Sequence, residues 1–482
     1  MLGKIAKALA VFALGAILAV GGLYLAGVRV GLSGSGRPGF VSAGPDYDAL
    51  DADRARQHQA TSPAGEAPAS TPSAESLPTA SASSEAAPAT PSPASIDSPW
   101  PDFRGRNRDG RSSEPIRLDW PADGLPRLWK QPVGLGYASF VVAGGRAFTI
   151  EQRRSQEVVA AYDARTGREL WTSTWEGEFA ESMGGNGPRA TPTYHQGRLY
   201  ALGALGEFRS LDAETGRLIW RKNILDENDA TNLEWGMAAS PLIVGNTVVV
   251  LPGGRNGKSV VAYNKDTGAR LWSALDDEQA YTSPMLATVG GVQQILVVTA
   301  ARALGLTTDG RRVLWEYPWS TYSGINVAQP VLLDDRRVFL SAGYDHGAAL
   351  IEIANDADRW SVRTIWENNR MKNKFTSSVL LNGYLYGLDE SILACVEAET
   401  GQLKWKAGRY GYGQVLLASD HLVVLTEDGD LVLLKATPER HEEVARFSAI
   451  EGKTWNHPVV ADGRLFVRNI REMAAFDIRP RP

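Results

Sequence analysis

One phrase recurs along this chain, and its spacing restricts the fold more than any other feature. It reads AYDARTGRELW ending at Trp171, SLDAETGRLIW at Trp220, AYNKDTGARLW at Trp272 and CVEAETGQLKW at Trp405, with looser copies ending at Trp315 and Trp366. Each copy reads as a strand, a tight turn and a second strand opening on a large aromatic. The turn needs a residue at positive φ, and Gly167, Gly216, Gly268 and Gly401 stand there, always four residues before the tryptophan. Between the copies lie other echoes, such as PRATPTYHQGRLYAL and TWNHPVVADGRLFV, in which a small or polar residue enters an alternating apolar run that turns at Gly or Asp and returns. That is the signature of a hairpin. Two hairpins in each unit of about 37 to 52 residues make four strands per unit, and eight units can be counted.

Four-stranded units at this period predict a propeller rather than a sandwich or a helical solenoid. The last unit supplies three strands through MAAFDI (Met473 to Ile478) and lacks its tryptophan strand, whereas Leu128-Trp129-Lys130 has that pattern with no unit before it. Pairing the two closes the ring and removes two open sheet edges. The expected fold is therefore all-β: an eight-bladed propeller of four-stranded antiparallel blades over residues 99–482, closed by its N- and C-terminal strands. Trp129, Trp171, Trp220, Trp272, Trp315, Trp366 and Trp405 head the outermost strands as structural docking residues, with Phe447 in the eighth place.

Ahead of the repeat come two segments of different character. Ala8 to Val28 carries no charge over about 21 residues, enough to span a bilayer as a helix. Lys4 and Lys7 precede it, so residues 1–30 read as a cytoplasmic N-terminus with a transmembrane signal anchor, placing the remainder of the chain in the periplasm. A cleaved signal peptide is the alternative reading. Residues 31–98 are rich in Pro, Ala and Ser with scarcely an aromatic; such a composition cannot offset its ordering entropy and reads as a disordered linker.

Composition narrows the partners. The net charge is −5, with no basic excess, which argues against nucleic acid. Cys395 is the single cysteine, which rules out an intrachain disulfide framework and any cysteine-based zinc or iron–sulfur site.

The phrase A-x-D-x-x-T-G-x-x-x-W is the tryptophan-docking motif of the pyrroloquinoline-quinone (PQQ) repeat, and residues 99–482 resemble that quinoprotein superfamily. The resemblance extends to the PQQ-binding-like β-propeller repeat proteins of bacteria in WPDFRGRNRDG, GPRATPT, NILDEN, EWGM, GINVAQP, KNKFT, GRYGYGQ and EGKTWNHP. The superfamily includes quinoprotein alcohol dehydrogenases and the outer-membrane assembly propeller, so the motif itself does not choose between enzyme and scaffold.

Loops entering the blades and loops returning to the same face should converge on one mouth of the central channel. If that funnel held PQQ, Arg189, Lys374 and Lys453 would meet its carboxylates, Trp235 or Trp455 would stack on it, and Asn326 and Gln329 would complete the cofactor-binding set. Its Ca²⁺ would draw on Glu234 and Asn456, and Asp389 or Glu234 would serve as the catalytic base of an alcohol or sugar oxidation. Against an enzyme stand the lack of an Asp-rich calcium loop and of a C-x-x-C-H haem signature. The other reading is a non-catalytic scaffold that binds a protein or polymer at its rim. FRGRNRDGR, with its arginines at Arg104, Arg106, Arg108 and Arg111, is expected to pack on the propeller through main-chain carbonyls or acids rather than to capture a polyanion.

Overall fold

In the computed structural model, residues 28–32, 38–42, 46–59 and 99–481 are described. The repeat folds as eight antiparallel blades arranged in chain order, the first spanning 141–176 and the seventh 414–448. The eighth is composite. Its inner strands Val459–Ala461, Arg464–Arg468 and Glu472–Asp477 take Arg127–Pro132 as the outermost, with Met473 paired to Gln131 and Ala475 to Trp129. The seventh blade gains a fifth, parallel strand, Arg111–Ser112, beside Leu417 and Ala418.

Burial explains the sequence pattern. The third strand of the first blade, Gln156–Asp163, is buried at every position but its ends because neighbouring blades cover both faces. Such strands read as continuous apolar runs. The outermost strand, Glu169–Glu176, is only partly covered and alternates, with Thr172, Thr174 and Glu176 exposed and Trp175 buried.

The recurring motif is a joint between blades. Asp163 accepts hydrogen bonds from the main-chain N–H groups of Arg165 and Thr166 and from the Thr166 hydroxyl, which locks the turn; Asp212 does the same with Thr215. The following glycine lies flat beneath the tryptophan of the preceding blade: Gly167 under Trp129, Gly216 under Trp171, Gly268 under Trp220, Gly310 under Trp272 and Gly401 under Trp366. Gly124 takes this place under Phe447 at the joint to the composite blade. Positive φ is thus half of the reason for glycine; the other half is that the ring leaves no room for a Cβ. Indole N–H groups of Trp129, Trp171 and Trp220 then donate to carbonyls of the next blade at Ala164, Ala213 and Lys265. Trp315 departs from this pattern, donating to Gln294 of its own blade, because the next blade has a long hairpin, Gly347–Asp356 and Arg359–Asn368, in place of the T-G turn.

A regular bulge aims these rings. In all eight blades the register between the third and fourth strands shifts, and in seven it does so beside the residue facing the docking tryptophan, as at Ala161/Tyr162 opposite Trp171 and Ala262/Tyr263 opposite Trp272. The extra residue turns the side chain out of its own sheet toward the neighbour.

The N-terminal region departs from the sequence expectation. Residues 8–27 of the expected membrane span lie outside the described residues, and among the described residues no helix is long and apolar enough to cross a membrane. The segment 31–98 is not disordered throughout: Val28–Leu32 pairs with Pro38–Ser42, and Tyr47–Gln59 forms a helix, α1. Helix α1 docks through Arg54, which is 7% exposed. Its guanidinium meets Glu169 at 3.1 Å and donates to the Pro132 carbonyl and the Tyr162 hydroxyl, while Gln57 bridges Gln131 and the Glu169 N–H. Composition averaged over 31–98 could not reveal this, since one buried ion pair orders the helix.

Candidate functional site

Where each blade enters the ring, a three-residue pattern repeats. Tyr137, Arg189, Ala238, Tyr281, Val327, Phe375, Tyr412 and Trp455 each stand two residues before a side chain able to hydrogen-bond: Ser139, Thr191, Ser240, Ser283, Gln329, Ser377, Gln414 and His457. These second members stitch adjacent blades around the channel. Main-chain N–H groups of Ser139, Ser240, Ser283 and Gln329 donate to side chains of Thr191, Ser283, Gln329 and Ser377 respectively, and Gln414 donates to the Phe375 carbonyl.

Inside this belt the channel is stoppered by the segment following Trp100. Trp100 bridges Val142 of the first blade, and Arg108 reaches across the axis. Its guanidinium pairs with Asp102 at 2.6 Å and donates to the carbonyls of Ser240, Pro241 and Pro284 in the third and fourth blades. On the other side Arg104 donates to the Ser378 carbonyl at 3.0 Å. Burial lowers the Arg104 pKa to about 10, so it remains cationic at neutral pH. The arginine-rich segment therefore packs onto main-chain carbonyls, as expected, and it does so as a plug. Trp100 and Phe103 from this segment flank His457, with ring centroids 6.3 and 6.2 Å away. Burial and the Arg104 charge push His457 down to about 3, leaving its imidazole neutral.

Above the plug lies a cavity of about 430 Å³. Phe103, Ser283, Gln414 and His457 are among its lining residues, and its wall carries Tyr137, Trp235, Tyr281, Tyr344, Phe375 and Trp455 with Arg189 and Lys374. Lys374 holds its ammonium 5.0, 5.3 and 5.2 Å from the ring centroids of Tyr344, Phe375 and Tyr412. Lys453 sits over Trp455 at 3.8 Å and donates to the carbonyl of Gly184 at 2.6 Å; burial lowers its pKa to about 8. Arg189 is committed to Glu181 at 3.0 Å and to the carbonyls of Gly185 and Gly187. Trp455 donates its indole N–H to Glu427, and Trp235 lies against Tyr281.

Of the residues singled out from sequence, Arg189, Trp235, Lys374 and Trp455 line this cup, with Lys453 at its lip. The others do not line it. Asn326 donates to the carbonyls of Thr299 and Trp319, Gln329 to that of Ser283, and Asn456 to those of Gly136 and Ala138, so all three hold main chain. Asp389 is 2.7 Å from the Lys406 ammonium, with Lys372 on its other oxygen at 3.9 Å; Glu234 is exposed. Sequence reasoning missed Phe103, Tyr137, Tyr281 and Phe375. The three-residue pattern could have found Tyr137, Tyr281 and Phe375.

The family model described as outer membrane protein assembly factor BamB matches residues 155–407. The chain belongs to that family. BamB of Burkholderia pseudomallei strain K96243 is 22% identical over 320 residues, covering 63% of this chain and 75% of the relative. The crystal structure of BamB from Moraxella catarrhalis is similar at a TM-score of 0.54 and 16% identity, covering 73% of this chain and all of that one. Quinohemoprotein alcohol dehydrogenase from Comamonas testosteroni is similar at 0.56 and 12%, covering 80% of this chain and 81% of its own, and a europium-containing methanol dehydrogenase at 0.55 and 12%, covering 76% and 88%. At such identities the likeness is one of fold.

The residues present do not fit Ca²⁺-bound PQQ. No aspartate or glutamate lines the cup, and among the described residues no group of three His, Cys, Asp or Glu could hold a metal ion. Arg189 already has its carboxylate; the amide N–H groups of Asn326, Gln329 and Asn456 donate to main chain, and although the Asn326 and Asn456 Oδ1 atoms are buried without a hydrogen-bond partner, none of the three residues lines the cup.

Proposed function

We propose that this BamB-family propeller is a non-catalytic binding scaffold for a protein or polymer on the periplasmic side of a membrane. In this reading residues 1–30 anchor it with the N-terminus in the cytoplasm, 31–98 tether it and 99–482 present the binding surface. The observation that supports it best is the construction of the cup. The cup is stoppered at its base and walled by rings, with Arg189 paired to Glu181, Lys374 lying among three rings, and no carboxylate among its lining residues to act as a base. Membership of the BamB family supports a partner-binding role and an envelope location.

Two measurements test the reading. Photocrosslinking from position 322, at the lip, should capture one partner in stoichiometric yield, and crosslinking from position 145, on a distant turn, should not. Addition of PQQ and Ca²⁺ to the purified chain should give neither saturable absorbance change nor dye-linked alcohol oxidation. Saturable quinone binding that is lost in an R189A/K374A double variant would overturn the scaffold reading in favour of a quinoprotein dehydrogenase.

A further inference from the structure

Helix α1 is seated on the propeller by polar groups rather than by apolar packing. Of its described side chains only Leu50 and Arg54 are buried, one turn apart on the same face. The rest of the contact is polar. Gln57 meets Gln131 and the Glu169 N–H, and at the rim Arg154 donates to Asp51 at 2.5 Å and lies over the Tyr47 ring at 5.1 Å. Thirteen residues are too few to hold a helix in water unaided, so α1 is ordered by what it docks on. One leucine is far less apolar surface than a core-facing helix ordinarily buries.

The socket is complete without it. Arg54 enters a cluster of Glu151, Glu169 and Tyr162 at the seam between the eighth and first blades. Both carboxylates already pair with Arg153, and Glu151 also feels the charge of the buried Arg468. Two carboxylates facing two resident guanidiniums are balanced before Arg54 arrives. Of the three cations acting on Glu151, Arg54 acts least. Tyr162 likewise has Glu151 as acceptor at 2.8 Å and Arg153 as donor at 3.0 Å. Arg54 for its part brings its own counter-charge, Asp53 at 2.6 Å, to which Gln57 also donates. Separation therefore strands no charge on either side. An ordinary buried ion pair differs, because its rupture leaves one member uncompensated.

Chain length says what separation does. Val28 pairs with Ser42 across a hairpin, and five residue steps lead from Ser42 to Tyr47 at the start of α1. Docked α1 thus keeps Val28 within roughly 25 Å of a helix fixed to the propeller, the span of those steps and one strand spacing. With α1 freed, residues 47–98 lie in line between the hairpin side and Trp100, and those 52 residues extend to at most about 180 Å.

We propose that α1 is a detachable clip that sets the reach of the chain: seated, it holds Val28 close to the propeller, and withdrawn, it adds residues 47–98 to the tether without loosening the blades. Its use as a spacer from a membrane rests on the anchor in the function proposed above.

Spin labels on the full chain test it, Cys395 being buried and taking no label. The pair A55C/S155C reports the helix and R29C/S155C the tether, Ala55 and Ser155 being exposed. In the parent chain each pair should give one short separation. Adding R54A should abolish it in both, and R54K, which keeps the charge but not the planar fork, should leave a mixture of short and long. Melting supplies the control: R54A should melt within about 1 °C of the parent, whereas R153A, which takes the resident partner from both carboxylates, should melt about 4 °C or more below it. A short A55C/S155C separation that survives R54A, a long R29C/S155C separation in the parent chain, or R54A melting several degrees below the parent would each overturn the clip. In lipid nanodiscs, energy transfer from a dye at position 155 to acceptors among the headgroups should fall on adding R54A, and unchanged transfer would overturn the spacer role. If the chain does not enter the disc while the spin-label results hold, the anchor fails and the clip stands.

Discussion

Replacing Gly216 by alanine isolates the joint between blades. Gly216 has φ of +73° and an added Cβ would lie 2.5 Å from the Trp171 ring, closer than real contacts allow. Two costs add: a left-handed backbone for an L-residue, about 1–2 kcal/mol, and overpacking against a ring held by its own hydrogen bond, about 1–3 kcal/mol. Gly145 provides the control, because it has φ of +72° and nothing within 4 Å of the added carbon, so that G145A bears only the first cost. Unfolding entropy of about 2.1 cal/mol/K per residue, taken over the propeller, gives roughly 0.8 kcal/mol/K, so G216A should melt about 1 to 4 °C below G145A. In a W171A background that gap should close, since the ring that causes it is gone. Calorimetric melting of the four variants decides the matter. Equal melting of G216A and G145A, or a gap that persists without Trp171, would refute the idea that glycine is required by the neighbouring ring.

The buried charges carry further consequences. R108M leaves Asp102 without its cation and the Ser240 and Pro284 carbonyls without the Arg108 donor, while Pro241 keeps the Thr193 hydroxyl; the cost is about 3–5 kcal/mol and should be read as a lowered melting temperature. Burial raises the Glu157 carboxyl to about 7, although Trp175 and Ala204 donate to it. Its folded pKa thus exceeds its unfolded value near 4.3, so the folded state holds a proton that the unfolded chain has lost. Stability should fall as pH rises across that window, by at most about 1.4 kcal/mol per unit, and urea titrations of E157Q should show a flatter profile. Burial would raise Glu151 too, but Arg153, Arg468 and Arg54 outweigh it and hold the carboxyl at about 2. Its contribution is present above the unfolded pKa and lost as pH falls from about 4.3 toward 2, so E151Q should shift the acid-unfolding midpoint. R54A should free helix α1, and limited proteolysis should then cut within 47–59 while leaving the propeller intact.

The number of blades, the closing strand at Trp129 and the identity of the docking tryptophans were all legible in the sequence. Each is written in short stretches, as alternation, turn chemistry and an aromatic at fixed offset, and local geometry suffices to read them. The second reason for Gly216 was not legible, because the ring that excludes a Cβ belongs to the preceding blade. Nor was helix α1, whose order depends on Glu169, more than a hundred residues away. The cup shows the same division. Lys374, Arg189, Trp235 and Trp455 were identifiable as polar or aromatic residues in loops, but their company and their orientation were not. Asn326 and Asn456, equally good candidates by position, spend their amides on carbonyls. Sequence by itself determined a closed ring of eight repeated units, since every unit carries the instruction for its own strands and turns. Tertiary structure decided what the ring holds at its centre, because the plug and the cup are assembled from loops widely separated along the chain, and only closure of the ring brings their side chains within reach of one another.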